Sequence, residues 1–307
     1  MPSHAQTRHG IALGSIAGIG INRPPEGARL APRITGAEVL GVSNRVQAEQ
    51  GITTASLAAG AARAALRAAG TNPNELELIV VGTTTPDVLW PSTACLVQTE
   101  LKLPMVGAFD LYAAETSFLA ALNVATRYVG AGARAVLLIG AESDNQLVDL
   151  PGQGGSVHAR AAVAAVLTPA ASDAGVLSTA VGGAAQSPSN SDGQDRVLLQ
   201  GLTDAVRACL SKAELSLNDI DLIIGEQSAP EIMHAWSRRQ GVPSERLLLE
   251  PSRYGMLLAA APFIVLHDVV RDGRLKAGMT ALLLSCGSGP VWAAACLRWT
   301  RAGVNEW

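Results

Sequence analysis

Sulfur, aromatic rings and clustered charge are all scarce in this chain. Of its 307 residues four are cysteine, 4% are aromatic and 16% are charged. Cys95, Cys209, Cys286 and Cys296 form no CxxC pair and have no histidine-rich spacing beside them, which argues against a thiol-held metal and predicts reduced, buried thiols. No metal and no resident cofactor are expected. The net charge is −3 and the 23 Lys and Arg residues are dispersed, which argues against nucleic acid or an anionic membrane as partner. The longest apolar runs, AVLLIGA at 135–141 and TALLLSCG at 280–287, are too short to span a bilayer. The N-terminus lacks a charged-then-apolar leader, so a cytoplasmic protein is expected.

What the chain has instead is small apolar residues. With 48% hydrophobic content and 31 Gly, it describes a layered Ala/Val/Leu/Gly core belonging to one large domain or two fused halves. Self-similarity favours the halves. AARAALRAAGTNPNELELIVVGTTTPD (61–87) and DAVRACLSKAELSLNDIDLIIGEQSAPE (204–231) share one plan of helix, acidic turn, buried strand and polar turn. Leu66 matches Leu210 and Leu78 matches Leu222 at a single offset. GARAVLLIGAES (132–143) and KAGMTALLLSCGSG (276–289) form a second pair. Their strands are apolar on both faces, as in a sheet covered by helices on each side. The expected division is a first half at 1–181, a polar joint at 182–195 and a second half at 196–307, with two central helices near 116–131 and 256–272.

The segment VGAFDLYAAETSFLAALNVATRYVGAGARAVLLIGAES (106–143) runs from a short strand through a small-residue turn into an Ala-rich helix, and it places Glu115 at the helix start. Thr116 and Ser117 are expected to cap backbone N–H groups there. His158, His234 and His267 are assigned structural or surface roles.

With IVVGTTTPDVLWPSTACLVQ (79–98), AFDLYAAETSFLAAL (108–122), VLLIGAES (136–143) and VRDGRLKAGMTALLLSCGSGPVWAAA (270–295) in this order, the chain resembles the β-ketoacyl-acyl carrier protein synthase III family from about residue 10 to residue 300. The resemblance implies a thiolase-like α/β fold of two similar halves in an α/β/α/β/α layered sandwich, dimeric through the first half. It also implies departures at each catalytic position. The family's elbow reads roughly AACSGF with Cys as nucleophile, so AAETSF puts Glu115 there. GEQSAP places Glu226 at the family His, beside a retained Gln227. YGMLLA places Met256 at the family Asn, after a retained Gly255. The turn CGSG (286–289) is kept, which assigns oxyanion-hole backbone N–H groups to Glu115, Gly287 and Ser288. Trp90 and Phe118 are expected at the substrate tunnel or dimer interface, and Met105, Leu111 and Met256 along the tunnel. By the same resemblance, the coenzyme A-contacting region is shortened around 45–58.

Glu115 is a poor acyl carrier, and neither an ionised Glu226 nor Met256 donates to an enolate, so cysteine-based condensation is expected to be absent. Three roles stay open. The first is a divergent, non-condensing partner subunit of a competent ketosynthase in fatty acid, polyketide or alkylquinolone-type biosynthesis. The second is an acid-base enzyme in which Glu226 is protonated and Glu115 ionised, acting on an acyl or β-keto thioester. The third is a malonyl thioester decarboxylase. The expected partners are a second copy or a ketosynthase paralogue and an acyl carrier protein, with the phosphopantetheine arm or coenzyme A as substrate carrier.

Overall fold

A computed structural model describes residues 14–22, 53–103, 105–143, 160–170, 174–185, 191–249, 257–287 and 289–300. In chain order the elements of the first half are β1 (Gly14–Asn22), α1 (Thr54–Ala69), β2 (Leu76–Gly82), α2 (Thr93–Glu100), β3 (Gly107–Leu111), α3 (Ser117–Gly130), β4 (Ala135–Glu142) and β5 (Ala161–Pro169). There follow β6 (Gly175–Gly183), α4 (Ser191–Ala213), β7 (Leu222–Gly225), α5 (Pro230–Arg239), β8 (Leu247–Leu248), α6 (Ala261–Arg271), β9 (Thr280–Gly287) and β10 (Val291–Arg298).

The strands form two five-stranded sheets, ordered β1-β5-β4-β2-β3 and β6-β10-β9-β7-β8. Counted within each half, both orders read first, fifth, fourth, second, third. The strand directions repeat as well. β2 runs parallel to β3 and β4 while β5 is antiparallel to β4 and β1, and β7, β8, β9, β10 and β6 follow the same scheme. The matched residues fall where the repeat requires: Leu66 and Leu210 on α1 and α4, Leu78 and Leu222 on β2 and β7.

Alternation along the central strands explains the layering. Every residue of β4 is buried, Val136 and Leu138 facing the inner core and Leu137 and Ile139 the outer one. The inner core holds α3 and α6 between the sheets, with the Phe118 and Phe263 rings 4.3 Å apart. On the outside, α1 buries Ala58, Ala61, Ala62 and Ala65 at helical spacing, and those short side chains let it lie close on the first sheet. The second sheet is covered by α4 and α5. The result is the α/β/α/β/α order of layers.

The boundaries between halves differ from expectation. β6 belongs to the second sheet, so that half opens at Gly175, and the expected 182–195 joint shrinks because Gly182 and Gly183 are strand and residues from Ser191 are helix. Of the second central helix, a 3-10 turn at Leu258–Ala260 leads into α6. Met256, Ser288, His158 and most of 45–58 lie outside the described residues.

Candidate active site

Between β3 and α3 the chain turns through Tyr112 to Thr116 with Ala114 at φ +48°, a left-handed conformation that costs a non-glycine residue roughly 1–2 kcal/mol. The turn is held against that cost by its own hydroxyls. Ser117 Oγ accepts from the Ala113 N–H (2.8 Å) and donates to the Ala114 carbonyl (2.6 Å), and Thr116 Oγ1 donates to the Ala113 carbonyl (2.7 Å). Thr116 makes no side-chain cap bond to α3, so these two residues pin the turn rather than cap the helix. From the other half, Ser285 Oγ on β9 donates to the Glu115 carbonyl at 2.9 Å. Glu115 is therefore fixed by both halves at once.

Its side chain is half-buried and lies on Gly287, where an added Cβ would stand 2.0 Å from Oε2. Glu115, Gly287, Gly289, Ser228 and, from α4, Gln194 and Leu198 line a cavity of about 220 Å³. A larger hollow on the α1–α2 surface, lined by Arg63, Arg67 and Lys102, includes none of these residues.

Glu226 follows β7 and continues its ladder, its N–H donating to the Leu284 carbonyl at 2.9 Å. The side chain is fully buried. Its two oxygens accept from the Ser228 N–H (2.7 Å) and the Ser228 Oγ–H (2.6 Å). Burial drives the carboxyl up to about 8 against the opposing bonds from Ser228, and the charge of Glu115 adds to the rise. Burial is the main cause of the rise and Glu115 a lesser one.

The structure thus brings Glu115, Glu226 and Gly287 together, but Glu226 is not on the cavity wall; Ser228 stands between. Sequence reasoning missed Ser228. Cys286 neighbours both carboxyls, yet it packs in the outer core beneath α4 and α5, while Ser285 next to it faces the elbow. Burial, then Glu226 and Glu115, push its thiol well above the usual range, so it supplies no thiolate. Phe118 is wholly buried in the inner core against Phe263, so it offers no surface to an interface. Met105 is 91% exposed, so it does not line a tunnel in this chain. Trp90 is 87% exposed, ahead of α2.

A second buried carboxyl also escaped notice. Glu142, ending β4, accepts from the Thr84 N–H and the hydroxyls of Thr84 and Thr85, and burial raises it to about 7. Among the described residues there is no metal-holding group of three or more His, Cys, Asp or Glu, and no helix is long and apolar enough to cross a membrane.

Two family models match the chain: 3-oxoacyl-[acyl-carrier-protein] synthase III over residues 109–185 and the C-terminal region of the same synthase over residues 210–299. A β-ketoacyl-[acyl-carrier-protein] synthase III of Xanthomonas campestris pv. campestris (strain 8004) is 34% identical over 272 residues, covering 80% of this chain and 84% of the relative. The crystal structure of the synthase III from Aquifex aeolicus VF5 superposes with a TM-score of 0.79 at 27% identity, over 93% of this chain and all of that one. Xanthomonas campestris OleA, at 21% identity and a TM-score of 0.79 over 94% of this chain and 99% of its own, shares the fold.

Proposed function

The chain belongs to the 3-oxoacyl-[acyl-carrier-protein] synthase III family, and from that premise we propose that it is a non-condensing member, the partner subunit of a cysteine-bearing ketosynthase in a fatty acid, polyketide or alkylquinolone-type pathway. One observation carries this reading: the elbow is built and pinned from both halves, yet the side chain it presents is the carboxyl of Glu115, and the nearby thiol of Cys286 is turned into the outer core. An acyl group transferred to a carboxyl would be an anhydride, which does not store it.

Pairing is supported by the surface. β3 is an edge strand, and exposed apolar side chains flank it, Met105 (91% exposed) ahead of it and Tyr112 (72%) after it. Leu89 and Trp90 lie at the Tyr112 end, because the start of α2 is tied to Asp110 of β3. An unpaired edge with apolar flanks favours a second subunit on this side, either another copy or a paralogue. Acyl carrier protein is the proposed source of substrate, through its phosphopantetheine arm or through coenzyme A, and the setting is cytoplasmic.

A second reading has its own support. Glu115 lines the cavity while burial raises the Glu226 carboxyl behind it to about 8, and a buried acid of that kind is equipped for acid-base chemistry on an acyl or β-keto thioester. Decarboxylation of a malonyl thioester has no comparable support, since Glu115 would repel its carboxylate.

Co-expression with a cysteine-bearing relative separates the two. The partner reading expects a stable complex whose condensation rate is unchanged by Glu115→Ala. A homodimer that turns over an acyl or β-keto thioester alone, and loses that activity in Glu115→Gln, would overturn it in favour of the acid-base reading.

A further inference from the structure

Ser228, which lines the cavity, hydrogen-bonds the buried carboxyl of Glu226 through both its backbone N–H and its hydroxyl. Both oxygens of Glu226 are engaged by this one residue, at 2.7 Å from the backbone N–H and 2.6 Å from Oγ. Glu226 has no exposed surface, whereas Ser228 lines the cavity with Glu115 and Gly287.

A serine hydroxyl has one proton to give and two lone pairs to offer. Beside an ionised Glu226 that proton is committed to Oε2, and the cavity sees only lone pairs. Beside a neutral Glu226 the acid donates to Oγ, and the serine proton is free to turn into the cavity. Burial favours the neutral acid. Of the ionisable groups facing Glu226, Glu115 at the elbow acts in the same direction, while the thiol of Cys286 on β9, held protonated first of all by its burial, adds no charge. On α5, Glu231 and His234 are exposed.

We propose that Ser228 is a side-chain hydrogen-bond donor of this cavity to the carbonyl or enolate oxygen of an acyl group carried on phosphopantetheine, with Glu226 as the positioning residue that turns its proton inward. The inference rests on the acid-base reading of the site and gives that reading a donor, a role that the thioether side chain of Met256, at the position the resemblance gives to the family Asn, cannot fill.

The test uses the full-length protein and two pantetheine ligands. One is a ketone in which a methylene replaces the thioester sulfur, so that no acyl transfer occurs; the other is the same molecule without the carbonyl oxygen. Calorimetric titration at about pH 6 is expected to show the ketone binding roughly three- to tenfold more tightly, the scale of one neutral hydrogen bond. Ser228→Ala should erase that preference and Ser228→Thr should keep it. For the wild type the preference should fade as pH rises through about 8, when the serine proton is recaptured by the carboxylate. In Glu226→Gln, whose amide donates to Oγ at every pH, it should persist. An undiminished preference in Ser228→Ala, or a fade in Glu226→Gln matching the wild type, would overturn the assignment of Ser228. Binding of neither ligand would overturn the acyl-pantetheine reading of the cavity, and this inference with it.

Discussion

A carboxylate packed on a glycine leaves no room for a methyl group, and that contact between Glu115 and Gly287 is the tightest constraint in the site. Gly287→Ala is expected to destabilise the protein by about 1–3 kcal/mol through overpacking. Adding Glu115→Ala should recover most of the loss, so a double-mutant cycle in chemical denaturation should show strong coupling. Simple additivity would mean that Gly287 serves something other than room for Glu115. The buried carboxyls make a second prediction. Burial raises the carboxyls of Glu226 and Glu142 from their ordinary 4.5 to about 8 and about 7 in the folded chain. Between those values the native state holds more protons than the unfolded one, so stability is full below about 4.5 and is lost as pH rises toward about 8. Thermal melts across that range should show the decline, and Glu226→Gln should flatten its upper part. A wild-type profile that rises or stays level through this window would contradict the burial of these groups.

At the level of elements, helix starts in the first half depend on carboxylates delivered from other segments. Asp110 of β3 accepts from the N–H groups of Thr93 and Ala94 at 2.7 and 2.8 Å, and Asp87 does the same for Thr54 and Ala55 on α1. Asp110→Ala should cost about 1 kcal/mol, by analogy with loss of an N-cap, and should loosen the Trp90 loop as well, read as a lowered denaturation midpoint and faster proteolysis ahead of α2. The elbow strand and helix were legible in the sequence, because VGAFDL and the Ala-rich run that follows have unambiguous periods. The roles of Thr116 and Ser117 were not, since a hydroxyl at a helix start serves equally to cap or to pin, and the left-handed Ala114 decides for pinning. Ser228 was illegible for a different reason. Its bond to Glu226 is local, but its place on a cavity wall depends on α4 and on the turn after β9, which lie far away in the chain.

Across the whole molecule the duplication could be read early, since Leu66 and Leu210, and Leu78 and Leu222, keep one spacing through two identical strand orders. The joint between halves could not be placed as well, because Gly182 and Gly183 have loop-like composition yet are held in β6 by pairing with Trp292 and Val291 of β10. Likewise Ser191, Asp192 and Gly193 are helical in α4 despite weak intrinsic preference. What unites the scales is the proposal that the family's scaffold here presents the carboxyl of Glu115 at the elbow and stores no acyl group there. The most direct test is intact-protein mass spectrometry with peptide mapping after exposure to acyl-coenzyme A and acyl carrier protein thioesters. The account predicts an unchanged mass for the wild-type chain. A stable acyl adduct on Glu115, Ser228 or any of the four cysteines would contradict it.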